Sequence, residues 1–135
     1  MEKVKKNIQV VAAIIFEGSS VYCFRKGANK LKYLENKFEF AGGKIEANEN
    51  KKQALEREIL EELNIDIIVN DELLVINHEY PDFKLTMYCF SCVISKGTIK
   101  LSEHKEFILQ DICRLNDLDW LPADIPAVEY LMENF

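Results

Sequence analysis

The sequence predicts one α/β domain, with helices sandwiching a mixed β-sheet. Three observations carry that expectation. Apolar and β-branched runs of strand length recur along the chain, interleaved with only two segments of good helical periodicity. No linker, repeat or low-complexity tract divides the 135 residues, so residues 1–135 are expected to form a single domain. Hydrophobic residues make up 48% and charged residues 30%, enough for a core without metal or disulfide staples.

Residues 8–16 form a β-branched apolar run and predict a buried strand. Glu17-Gly18-Ser19-Ser20 is a turn, returning into a second strand over 21–25. Residues 27–36 are polar and predict a loop. Phe38-Glu39-Phe40 alternates and predicts a short strand leading into Ala41-Gly42-Gly43. Ala54, Leu55, Ile59 and Leu63 recur at helical spacing, with Asn48 or Asn50 as the cap and Asn64 as a left-handed terminator. Residues 65–77 and 84–95 predict two longer strands, and 99–101 and 107–109 two short ones. Residues 111–116 read as a helical turn. Pro122-Ala123-Asp124-Ile125-Pro126 opens a last helix whose apolar face is Ile125, Val128, Leu131 and Met132.

Lys plus Arg is 17 against 23 Asp plus Glu, a net charge of -6. That excludes the basic footprint that polymeric nucleic acid requires. The longest apolar run, 10–16, is too short to span a bilayer. The basic start, residues 1–6, is followed by no apolar leader core, so a cytoplasmic protein is expected. Cys23, Cys89, Cys92 and Cys113 are too scattered for a disulfide scaffold. Cys89 and Cys92 lie three apart in a strand pattern, so they face opposite sides and are expected to be structural. His78 and His104 lack ligand spacing and read as structural or exposed, and Trp120 reads as core or pocket wall.

The chemistry concentrates between Gly43 and Ile65. Glu58, Glu61 and Glu62 stand at i, i+3 and i+4, so their carboxylates share one helix face. Like charges at these spacings repel by about 0.2–0.5 kcal/mol per pair. They also lie in the last turns, where the helix dipole favours cations. A hard divalent cation with oxygen ligands, Mg²⁺ or Mn²⁺, supplies the missing charge. Gly42 and Gly43 upstream permit close backbone approach and positive φ, as needed beside a phosphate or metal. The residues alone thus point to metal-assisted chemistry on a phosphate compound.

The run from Gly43 through Glu49 to Arg57-Glu58-Ile59-Leu60-Glu61-Glu62-Leu63-Asn64-Ile65 resembles the Nudix box, with Asn64 where that family has glycine. Residues 38–46 resemble the segment preceding the box in the MutT-like branch, with Ala41 in place of the usual proline and a more mobile loop expected. Residues 118–126 resemble the C-terminal stretch of that branch's nucleoside triphosphate pyrophosphohydrolases. The resemblance implies a Nudix-type α/β/α sandwich around a mixed β-sheet. It implies Mg²⁺-dependent hydrolysis of nucleoside triphosphates to monophosphate and pyrophosphate, with Mn²⁺ able to substitute.

The resemblance also implies roles for single residues. Glu58, Glu61, Glu62, Glu103 and the Gly43 backbone hold the metal. Arg57 orients a catalytic carboxylate, and either Glu58 or Glu103 is the general base. Glu49 tethers the loop, and Lys44 contacts phosphate. Phe40 and Asp124 recognise the base, with a helix N-cap as the other reading of Asp124. Arg25 and Lys26 touch base or phosphate, with strand-end solvation as their other reading, and Glu39 supports the base pocket. The preferred substrate is an oxidised nucleotide such as 8-oxo-dGTP. The alternative is CTP or dCTP, and ADP-ribose, dinucleotide polyphosphates or a non-catalytic nucleotide-binding module stand further off. A monomer or homodimer is expected.

Overall fold

The computed structural model describes residues 4–135, so the first three residues of the basic start lie outside it. Strand β1 (Lys6–Glu17) is the spine of a 7-stranded mixed sheet. It turns tightly into β2 (Ser20–Lys26), and both strands outrun the apolar runs that predict them. A 3-10 turn, Lys32–Leu34, interrupts the expected loop, and β3 (Phe38–Glu39) pairs with β2. β4 (Gly42–Lys44), which composition gives no reason to expect, pairs antiparallel with β1 across Val11↔Gly43. After helix α1 (Lys51–Leu63) come the long strands β5 (Asp66–Glu79) and β6 (Phe83–Lys96). β6 runs parallel to β1 from Lys6↔Phe83 to Ile15↔Cys92. β7 (His104–Asp111) pairs with β2. Two 3-10 turns, Ile112–Asp117 and Pro122–Asp124, lead into α2 (Ile125–Asn134).

Alternation along β1 divides the core. Val11, Ala13 and Ile15 pack under α1 with Ala54, Leu55, Ile59 and Leu63. Ala12 and Ile14 face the other way, into a cluster with Ala127, Val128 and Leu131 of α2. The α/β/α sandwich is thus written in the period of two of one strand and the helical stripe of α1. Cys89 and Cys92 fall into opposite clusters, both fully buried, and Trp120 is buried with its indole N–H donating to the Leu115 carbonyl.

Helix α1 begins at Asn50, not Asn48. Asn50 and Gln53 form a reciprocal capping box, whereas Asn48 sits in the left-handed region at φ 67°. Asn64 takes the left-handed cap at φ 58°, as expected, and its side-chain amide donates to the Lys100 carbonyl.

Other expectations fail for physical reasons. Residues 99–101 form no strand. Their neighbourhood instead serves the orphan carbonyls at the end of α1, with Lys100 N–H donating to Leu63 O and Ser102 N–H to Glu62 O. Ala41 is held in place despite the missing proline: it is fully buried and its carbonyl accepts from Ala13 N–H at 2.8 Å. Neither Gly42 nor Gly43 has positive φ. Ile125 stays 42% exposed in the first turn of α2, where Ala127 takes the buried place.

Candidate active site

A cavity of about 560 Å³ opens beside the β1–β4 pairing. Its lining includes Gly43, Lys44, Glu62 and Glu103 of the expected metal and phosphate set and Lys26, Glu39, Phe40 and Asp124 of the expected base set. Part of the expected metal set therefore shares one space with the expected base set, whereas Glu58 and Glu61 do not line it. Arg25 does not line it. As Lys26's strand neighbour it points to the other face and pairs with Glu106 at 3.0 Å, so the role expected for Arg25 finds no support.

The α1 glutamates grade across the helix face. The Glu62 residue is only 7% exposed, the Glu58 side chain is 15% exposed and that of Glu61 is 60%. Glu62 is buried because its position continues the apolar stripe toward Leu63. Its Oε2 is buried and has no hydrogen-bond partner. Burial pushes its carboxyl up to about 9, and the charges of Glu103, Glu58 and Glu39 push the same way. Burial also raises Glu58, against the pull of the Arg57 guanidinium.

Arg57 organises the rest. It donates to Glu49 from Nε (3.1 Å) and Nη2 (2.7 Å), to Glu58 from Nη1 (2.8 Å) and to the Lys44 carbonyl (3.0 Å). Glu61 lies 3.4 Å from Nη1. The paired guanidinium holds Glu49 below the usual carboxylate range, and Glu49 also accepts from Glu46 N–H at 2.7 Å. Glu49 ties the loop to the helix and does not line the cavity. A side chain at Gly43 would run into the Glu58 carboxylate, so the close approach expected of that glycine is made to a glutamate of the helix.

The donor set fits a hard divalent cation. It is all oxygen, one buried carboxylate oxygen lacks a partner, and the backbone at Gly43 leaves room beside Glu58. Among the described residues no three acidic, histidine or cysteine side chains already stand close enough to ligate one ion. Mutual repulsion and the Arg57 pairing account for that spacing, and a doubly charged ion offsets the repulsion. This arrangement makes stability depend on pH. Glu62 costs nothing where it is neutral in both folded and unfolded chains. Above its ordinary value of 4.5 the unfolded chain gives up the proton and the folded one holds it until about 9. Metal-free protein is therefore expected to lose stability across that interval, and a divalent cation to restore more at pH 8 than at pH 5. Thermal melts with and without chelator check this, and Glu62→Gln should flatten the slope. An unchanged slope in that variant refutes the account.

In the cavity wall, Asp124 is 3% exposed and accepts from Phe40 N–H at 3.1 Å. It makes no cap bond to α2, so the N-cap reading is set aside. Burial, then the charge of Glu39, raises Asp124 well above the ordinary aspartate value. Pairing around Phe38, which donates to Asp119 O and accepts from Leu121 N–H, brings the two segments together. The Phe40 ring is itself 3% exposed and packs 4.8 Å from Trp120, so it offers a base little open face.

Two cavity residues escape sequence reasoning. Tyr80 accepts from Ala123 N–H through its hydroxyl, and burial pushes that phenol up to about 12. His104 is neither exposed nor isolated, since it contacts Glu39. The adjacency of His104 to Glu103 is the only local signal for it, and Tyr80 has none.

The sequence profile of the NUDIX domain family matches residues 6–135. An 8-oxo-dGTP diphosphatase of Buchnera aphidicola is 33% identical over 103 residues, 76% of this chain and 83% of that one. A CTP pyrophosphohydrolase of Escherichia coli is 31% identical over 127 residues, 94% and 93% of the two chains. A solved MutT structure from methicillin-resistant Staphylococcus aureus, described as a Nudix hydrolase, superimposes with a TM-score of 0.75 at 38% identity. It covers 98% of this chain and 100% of its own. No helix among the described residues is long and apolar enough to cross a membrane.

Proposed function

The chain belongs to the NUDIX domain family and is a Nudix hydrolase, and we propose that it converts nucleoside triphosphates to monophosphate and pyrophosphate with Mg²⁺. The observation that supports this most is the shared cavity, whose lining brings buried Glu62, with Glu103 and Lys44, together with buried Asp124. Glu58, Glu61, Glu62, Glu103 and the Gly43 backbone would hold the metal, and Mg²⁺ there would supply positive charge against the phosphates and lower the pKa of a bound water. Lys44 binds phosphate, and Arg57 fixes Glu58, which takes a proton from the attacking water. Glu103 is the other candidate for that proton. Asp124 meets the N–H edge of the base. The enzyme works in the cytoplasm as a monomer or homodimer.

The preferred substrate is an oxidised guanine nucleotide, as in the relatives named for 8-oxo-dGTP. The relative named for CTP supports a cytidine nucleotide as the second reading. Initial rates for 8-oxo-dGTP, dGTP, dCTP and CTP with Mg²⁺ decide. A preference for 8-oxo-dGTP over dGTP near a hundredfold, about 2.7 kcal/mol of transition-state binding, is expected. Asp124→Asn should shrink that ratio more than it lowers kcat. Faster turnover of the cytidine nucleotides moves the Asp124 contact to the cytosine amine, and no hydrolysis of any of them overturns the proposal.

A further inference from the structure

The carboxylate of Glu39 is gripped at one oxygen. His104 Nε2 lies 2.9 Å from Oε2, and Lys26 Nζ lies 3.6 Å from the same atom. All three residues line the cavity, and the His104 side chain is only 4% exposed. A carboxylate accepts, so Nε2 carries the hydrogen, while Nδ1 is buried with no partner. An orphaned ring nitrogen lowers stability, so packing alone would favour an apolar ring at this position.

The backbone makes a detour to put His104 there. β7 pairs with β2 in steady register from Ser20↔Asp111 to Arg25↔Glu106, then slips so that Lys26 faces His104. Lys105 is the extra residue. In an unbroken ladder Lys105 would oppose Lys26. The bulge instead turns His104 onto the face shared by Lys26 and Phe24, with the imidazole 5.2 Å from the Phe24 ring.

We infer that His104 is a positioning residue for substrate recognition. With Lys26 it fixes the Glu39 carboxylate, leaving Oε1 to accept an N–H of the bound base beside Asp124. This rests on the nucleotide reading above and assigns a specificity role to a residue that is not itself among the expected metal ligands. Glu39 and Asp124 together make an acceptor-rich end, suited to a base edge that presents an amine and a ring N–H.

The test uses titration calorimetry of 8-oxo-dGMP, dGMP and CMP in the presence of chelator, so that only the base end is read. It is paired with kcat and KM for the corresponding triphosphates with Mg²⁺. His104→Phe is expected to weaken monophosphate binding about tenfold and raise KM similarly, with kcat within about threefold of wild type. His104→Gln, whose amide N–H reaches Glu39, is expected to restore most of the loss. Should His104→Phe not fold, the contrast of His104→Asn, too short to reach, with His104→Gln carries the test. Wild-type binding in the Phe or Asn variant overturns the inference. So does equal weakening in the Gln variant accompanied by a lowered Tm. Wild-type protein that binds no monophosphate and hydrolyses no triphosphate overturns the nucleotide reading, and this inference with it.

Discussion

Glu58→Gln is expected to lower kcat about a thousandfold with Mg²⁺ while the protein stays folded, the range over which a positioned acid–base group contributes. The substitution keeps the shape of the side chain and its acceptor oxygen. Arg57 Nη1, 2.8 Å away, retains a partner, and Glu49 still holds the other two nitrogens. What is lost is negative charge and basicity beside Gly43. Glu56→Gln is the matched control: Glu56 is exposed on the same helix and lies outside the cavity. Steady-state rates with thermal melts decide. A Glu58→Gln enzyme within tenfold of wild type removes Glu58 from both metal binding and proton transfer.

Gly43→Ala is the second large effect. The added methyl would occupy the space of the Glu58 carboxylate, and the obstruction is a side chain, not backbone. Glu58 must swing away, and displacement of a catalytic group by about 1 Å costs about a hundredfold in rate. Stability should fall less, by about 1–3 kcal/mol, because one flexible carboxylate yields. Gly42→Ala gives the contrast: its methyl would strike the Val11 carbonyl and break the β1–β4 pairing, so the fold itself should suffer. Adding Glu58→Asp to Gly43→Ala shortens the obstructing side chain and should recover part of the rate, a non-additivity readable as a double-mutant cycle. Equal rates for Gly43→Ala and wild type would show that the close approach has no catalytic consequence.

The helix and its acidic run were legible in the sequence because their information is local. Apolar spacing fixed α1, and carboxylates at i, i+3 and i+4 had to share a face. Their unequal burial was not legible, since it depends on how α1 rolls against β1. Asp124 was legible only through resemblance, and its bond to Phe40 N–H spans 84 residues. For His104 the sequence left structural and exposed open, and the structure selects the buried one; a single slipped residue at Lys105 decides which side chain faces inward, which no local pattern announces. Residues 99–101 look like a strand because aliphatic side chains serve equally well in a strap. Only the unsatisfied carbonyls of α1 decide between the two.

That strap has a kinetic consequence. Its N–H groups close the end of α1, and the single Ser102 hydroxyl hydrogen is shared between the carbonyls of Glu61 (2.8 Å) and Glu62 (2.9 Å). Glu103 follows immediately, so a carboxylate far from the helix in sequence is tethered to its last turn. Fraying of that turn and release of Glu103 then become one opening event. The amides of Lys100 and Ser102 should exchange with solvent at the pace of the helix terminus rather than of a surface loop. A bound cation bridging the two segments would slow both together.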